Sequence, residues 1–162
     1  MIRNLSILDS DGRSLVSSYF GECHSLGDNT NLISGFLSAL HQMGQNLSGK
    51  GVDQISFGVL YFVLITERNL IFSVAADDGD IEANKVKLSQ IADLFIERYG
   101  SILWDLDNRD DLSLFDEFVP YLLNLGVVAK SCGKYPDCMD CPDSKKTLPM
   151  EQVIQQTDNM DI

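Results

Sequence analysis

Residues 56–100 read SFGVLYFVLITERNLIFSVAADDGDIEANKVKLSQIADLFIERYG, and the fold turns on how this stretch is parsed. Phe57, Val59, Tyr61, Val63 and Ile65 alternate with Leu60, Phe62 and Leu64. Successive side chains of a strand point to opposite faces, so this run predicts one long strand that is apolar on both sides and needs cover on both. Glu67, Arg68 and Asn69 form a polar break before a second β-rich run at 70–76, the pattern of an antiparallel hairpin. Asp77, Asp78 and Asp80 then stand where the partial positive charge of a helix N-terminus favours carboxylates. Ile81, Leu88, Ile91, Phe95 and Tyr99 follow at helical spacing, with Gly100 as the expected C-terminal cap.

On the N-terminal side, Ile2, Leu5, Ile7 and Leu8 lead into Asp9-Ser10-Asp11-Gly12, and Leu15, Val16, Tyr19 and Phe20 follow. This predicts a hairpin with a glycine-containing turn. The same four residues match the start of a calcium loop, but that loop needs a Glu at its twelfth position and Phe20 stands there. A polar loop at 21–28 holds Cys23 and His24. Leu32, Phe36, Leu40, Met43 and Leu47 recur at helical spacing, widened by Ile33 and Leu37, and predict a helix ending near Ser48-Gly49 that lies on the sheet. Gly35 and Gly44 within it read as points of close approach to strands, and His41, one position off the stripe, as a rim or surface residue. Residues 51–56 are either a separate strand or the beginning of the long one.

Past Gly100, an acidic connector at 105–111 leads to a third helix carrying Leu114, Phe115, Phe118 and Leu122, kinked by Pro120 and ended by Gly126. Periodicity stops at Val127. The chain therefore divides into a folded domain at 1–126, a cysteine-rich extension at 127–143 and a C-terminal tail at 144–162 expected to be flexible. The fold class is α/β in the α+β sense. The expected architecture is a three-layer sandwich, an antiparallel sheet of about five strands with one helix on one face and two on the other.

A chain of 162 residues with 44% apolar content can bury a sizeable core as one domain. Its 24 acidic and 12 basic residues give a net charge of -12, which disfavours nucleic acid and anionic membrane surfaces as partners. The longest apolar run, 59–65, is far short of the roughly 20 residues that span a bilayer. No signal-peptide pattern opens the chain, so a cytoplasmic location is expected.

The sharpest chemical motif is Cys132-x5-Cys138-x2-Cys141. A two-residue spacer lets the thiolates of Cys138 and Cys141 reach one tetrahedral ion, and Pro136 and Pro142 stiffen the loop. Zinc is the metal this donor set suits, with Cys23, His24 or an Asp as the fourth ligand should the hairpin-to-helix loop lie nearby. Free thiols and a disulfide are the alternatives. An iron-sulfur cluster has less support, because its usual cysteine runs are absent. Phosphate-binding, dinucleotide-binding, nucleophile-elbow and zinc-protease motifs are all missing, and only His24 and His41 could act as a base near neutral pH. No catalytic residue is assigned.

The order β-β-α-(β)-β-β-α-α resembles the longin domain, the small module of vesicle-trafficking SNAREs, adaptor subunits and tethering complexes. The resemblance covers residues 1 to about 126. It is most detailed in the hairpin ending in an acidic cluster at 74–80 and in the helix finishing Phe95-x3-Tyr99-Gly100. Roadblock domains share much of this architecture but usually begin with a helix. The resemblance implies a longin/profilin-like sandwich and a non-enzymatic interaction module that scaffolds or regulates a small GTPase or a trafficking-type complex. It also implies docking through the first helix and the neighbouring strand, which here places Phe36, Leu40, Met43, Phe57 and Val59 at a partner surface. A homodimer through a helix or a sheet edge is compatible with it. A PAS- or profilin-like sensor, and a metal-binding protein built on the cysteine-rich segment, are the other expectations.

Overall fold

The computed structural model describes residues 1–21, 23, 30–57 and 60–143, with the backbone only at Thr30 and Phe57. Five strands form one antiparallel sheet, β1 (Ile2–Leu8), β2 (Ser14–Tyr19), β3 (Gln54–Phe57), β4 (Leu60–Glu67) and β5 (Leu70–Ala76), in the order β2-β1-β5-β4-β3. The helices are α1 (Thr30–Ser48), α2 (Ile81–Tyr99) and α3 (Phe118–Asn124). The class is α+β, as the sequence predicts.

The β4–β5 hairpin turns at Arg68 and Asn69, with φ of 48° and 63°. Two successive left-handed residues make the tight turn whose twist matches that of the flanking strands. Glu67 pairs with Leu70, and the register runs without a break to Tyr61 opposite Ala76. At the other hairpin the buried Asp9 carboxylate accepts hydrogen bonds from the backbone N–H groups of Asp11 and Arg13 and from Arg13 Nε. Arg13 then donates to the carbonyls of Leu106 and Arg109, which pins the acidic connector against the turn.

The long strand expected over 57–65 is instead two strands. β3 and β4 run antiparallel with Phe57 paired to Leu60; residues 58–59 lie outside the described residues. Ile55 pairs with Phe62 and packs with the cluster of Leu60, Phe62 and Leu64, so the parity of inward positions inverts between β3 and β4, and a run that is apolar on both faces hides that inversion.

Strand side chains divide between two buried clusters. Leu5, Ile7, Val63, Leu70, Phe72 and Val74 share one with Leu88, Ile91, Ala92, Phe95 and Tyr99 of α2 and with Phe118 and Leu122 of α3. Leu60, Phe62, Leu64, Ile71 and Ala75, of the opposite parity along β4 and β5, share the other with Ile33 and Leu37 of α1. In the first cluster Phe95 is fully buried among Phe72, Tyr99, Phe115 and Phe118, with ring centroids 4.9–5.8 Å away. This is the aromatic end of the Phe-x3-Tyr-Gly pattern.

Asp80 caps α2 by accepting from the Ala83 N–H at 3.1 Å. Gly100 caps its other end in right-handed conformation, and the absence of a side chain there matters because a Cβ would meet the Ile96 carbonyl and Arg68. Pro120 does not kink a long third helix. Leu114 and Phe115 belong to a separate 3-10 turn, Ser113–Phe115, and Pro120 lies in the first turn of the short α3, where its missing N–H has no intrahelical partner to lose. Gly126, at φ of 69°, ends α3 with its N–H on the Leu123 carbonyl and that of Val127 on the Leu122 carbonyl, a paired closure sealed by the buried Leu122 and Val127.

Candidate functional site

Two regions carry features that the packing does not consume. The first is α1. Its core-facing positions are Ile33 and Leu37, with the buried polar residues Ser34, Ser38 and His41 beside them. The stripe expected to face the sheet is rotated outward. Phe36 packs at the edge of the core, 6.4 Å from the Phe62 ring, and Leu40 is half-buried, while Leu32, Met43 and Leu47 are 42%, 51% and 79% exposed. No Asp, Glu, Lys or Arg occurs between Thr30 and Ser48, in a chain that is 22% charged. Of the expected partner-surface residues, then, Phe36 is a core-edge residue, Leu40 straddles the rim and Met43 is outside. Phe57 contributes its backbone to β3, a terminal strand of the sheet, and Val59 lies outside the described residues. Leu32 and Leu47 belong to this outer stripe too, and the charge-free composition of 30–48 was the available signal for it.

His41 departs from its expected surface position. It is 6% exposed, turned under the segment that returns from α1, where a Cβ on Gly51 would collide with the ring. Gly44 meets Val52 in the same way, so its close approach is to this returning segment, and Gly35 faces open space. His41 borders a polar cleft of about 120 Å³ with Ser10, Ser38, Gln42, Thr66 and Asn69. Its Nδ1 makes no hydrogen bond among the described residues, so no carboxylate or hydroxyl orients it there as a base.

The second region gathers all four cysteines. Cys23, Cys132, Cys138 and Cys141 line one small pocket with Arg3, Ser131 and Tyr135. Cys23 is buried just after β2, where the Phe20 N–H bonds the Arg3 carbonyl at 2.7 Å and holds the chain beside the start of β1. Cys138 and Cys141 sit at the two ends of a 3-10 turn closed by the Cys141 N–H on the Cys138 carbonyl at 3.1 Å and capped by Asp137 on the Met139 N–H at 3.0 Å. Gly133, at φ of 75°, turns the chain immediately after Cys132. His24, the other expected fourth ligand, lies outside the described residues.

Arg3 ties this pocket to the acidic cluster after β5. Its Nε and Nη2 both donate to the Asp77 carboxylate, and Nη1 lies 2.9 Å from where a Cβ on Gly21 would stand. Burial works against the guanidinium charge, yet the hydrogen bond and charge of Asp77 and the facing Cys23 and Cys132 hold its pKa above the ordinary value. Nothing local in the sequence marks Arg3 as a pocket residue, because its place follows from the pairing of distant segments. Among the described residues, no group of three or more His, Cys, Asp or Glu side chains is drawn together closely enough to hold a metal ion as it stands.

The sequence matches no protein-family model, and no curated protein matches it. Among the described residues no helix is long and apolar enough to cross a membrane.

Proposed function

We propose that this chain is a non-enzymatic interaction module of longin-like type, which uses α1 to scaffold or regulate a small GTPase or a subunit of a trafficking or tethering complex. The observation that carries this reading is the outer stripe of α1. Interface cores are depleted in charged residues and enriched in aromatic residues and methionine, and a 19-residue helix with no charged side chain, exposing Met43 between Leu32 and Leu47, shares the missing charge and the methionine. An ordinary outward helix face is charged, as α2 is with Glu82, Lys87, Asp93 and Glu97 exposed. Terminal strand β3 offers an edge to which a partner segment can add backbone hydrogen bonds. The identity of the partner class rests on the resemblance of the element order and of the Phe95-x3-Tyr99-Gly100 ending to longin domains.

The test is affinity purification of the full chain from extracts of its own cell, in parallel with a Leu32→Glu/Met43→Glu/Leu47→Glu variant of verified fold. A small GTPase or a tethering-type subunit is expected with the native chain and absent with the variant. Recovery of the same proteins by both, or of neither class by the native chain, overturns the reading.

A further inference from the structure

We propose that Cys23, Cys132, Cys138 and Cys141 together bind one zinc ion in a closed tetrathiolate site that clasps the cysteine-rich segment onto the start of the sheet. Three independent observations converge on it. The first is convergence of donors: three cysteines from one segment and one from a loop more than a hundred residues away line the same pocket. The pocket has room of about 10 Å³, that of a single water-sized sphere. That is room for a single ion.

The second is the local geometry of the ligands. A Cys-x2-Cys pair stands at the two ends of a closed turn with prolines before and after it, the spacing that lets two thiolates reach one tetrahedral ion, and Gly133 turns the chain immediately after Cys132. Four soft thiolates in tetrahedral array select zinc over hard cations. With every position filled by sulfur, the ion has no place for a substrate or an activated water, so its role is structural.

The third is energetic. Between 129 and 143 no residue is buried, and the ones that are half-buried are Ser131, Cys138, Cys141 and Asp143. Ordering each residue costs on the order of 1–2 kcal/mol of backbone entropy, which this segment does not recover by burying apolar surface. Metal-ligand bonds are a source of that stabilisation available to it; two of its four half-buried residues, Cys138 and Cys141, are proposed ligands, and Cys132 is exposed. The doubled negative charge of a zinc tetrathiolate faces Arg3, a buried cation already held in place by Asp77. Closing the site requires the four sulfurs to draw together until each lies about 2.3 Å from the ion.

The experiment uses the full chain, purified without a metal-affinity tag. Elemental analysis is expected to give one zinc per chain, and X-ray absorption at the zinc edge a shell of four sulfurs. Replacement by Co(II) is expected to give the strong thiolate-to-metal absorption of a tetrahedral site. Cys23→Ser is expected to lower zinc affinity at least about 100-fold, more than the loss of an outer-shell partner costs, while His24→Ala leaves it unchanged. Should Cys23→Ser fail to fold, the sulfur count of the native protein and the His24→Ala result decide the matter alone. Four freely titrating thiols in metal-free native protein, a nitrogen in the shell that disappears in His24→Ala, or an iron-sulfur absorption spectrum overturns the proposal.

Discussion

Replacing Met43 and Leu47 by glutamate separates a docking face from a core face, because the two roles predict opposite balances of stability and binding. Fully burying a Leu or Met side chain contributes about 1.5–3 kcal/mol. Leu47 is 79% exposed, so only about a fifth of that is at stake, roughly 0.3–0.6 kcal/mol. Met43, at 51% exposure, places about 0.8–1.5 kcal/mol at stake. Leu37, fully buried on the same helix, sets the contrast, since its truncation to alanine costs about 2–5 kcal/mol. Urea unfolding should be followed by far-UV circular dichroism, because the single tryptophan, Trp104, is 83% exposed and reports poorly on the core. Calorimetry with the recovered partner then supplies the other half. A residue at the centre of an interface contributes about 2 kcal/mol or more, so either glutamate should weaken binding about 30-fold. Unfolding of Met43→Glu or Leu47→Glu as severe as that of Leu37→Ala refutes the outward orientation of the stripe. Unchanged stability with unchanged affinity refutes its role in docking.

Phe95→Ala empties the centre of the aromatic cluster and should cost about 3–5 kcal/mol in a denaturant titration; a loss below 1 kcal/mol contradicts the packing described. Gly51→Ala drives a methyl group into the buried His41 ring and should destabilise by about 1–3 kcal/mol, with His41→Ala in the same chain relieving most of that loss. Burial pushes the Asp78 carboxyl up, but hydrogen bonds from the Met1 ammonium, the Asn84 amide and the Asp80 N–H hold it below its ordinary value of 3.8. A depressed folded-state value means stability that is fully present above that ordinary value and lost as pH falls through the folded one. Asp78→Asn should therefore lower the unfolding midpoint at pH 7, and the difference from the native chain should shrink below about pH 4. A difference that stays constant down to pH 2 removes the assignment.

The parts of the fold legible in the sequence are those where a local rule and the tertiary structure agree. Arg68 and Asn69 are polar residues between two β-rich runs and form the left-handed pair of the turn; Gly126 follows a helical stripe and closes α3. The stripe at Ile81, Leu88, Ile91, Phe95 and Tyr99 is set against a face carrying Glu82, Lys85, Lys87, Asp93, Glu97 and Arg98, which points it toward the sheet. On α1 that constraint is missing. Apolar residues at Leu32, Ile33, Phe36, Leu37, Leu40, Met43 and Leu47 form one arc of about 140° on a charge-free helix, so spacing could not say which edge of the arc faces the sheet, and the sheet selected the edge with Ile33 and Leu37. His41 was misplaced for the same reason, since its burial depends on Gly51 in a segment that returns over the helix. The cysteine motif was visible as three residues. The approach of Cys23 was open in the sequence because it depends on β1–β2 pairing, which brings residue 23 back beside Arg3.

The most direct measurement of the central claim is amide hydrogen exchange of the full chain with and without the partner it retains. Slowed exchange confined to α1 and β3, with α2 and the 103–124 region unchanged, is the result predicted for docking on the charge-free helix. Protection centred on α2 or α3, or no protection of α1 at saturating partner, contradicts it.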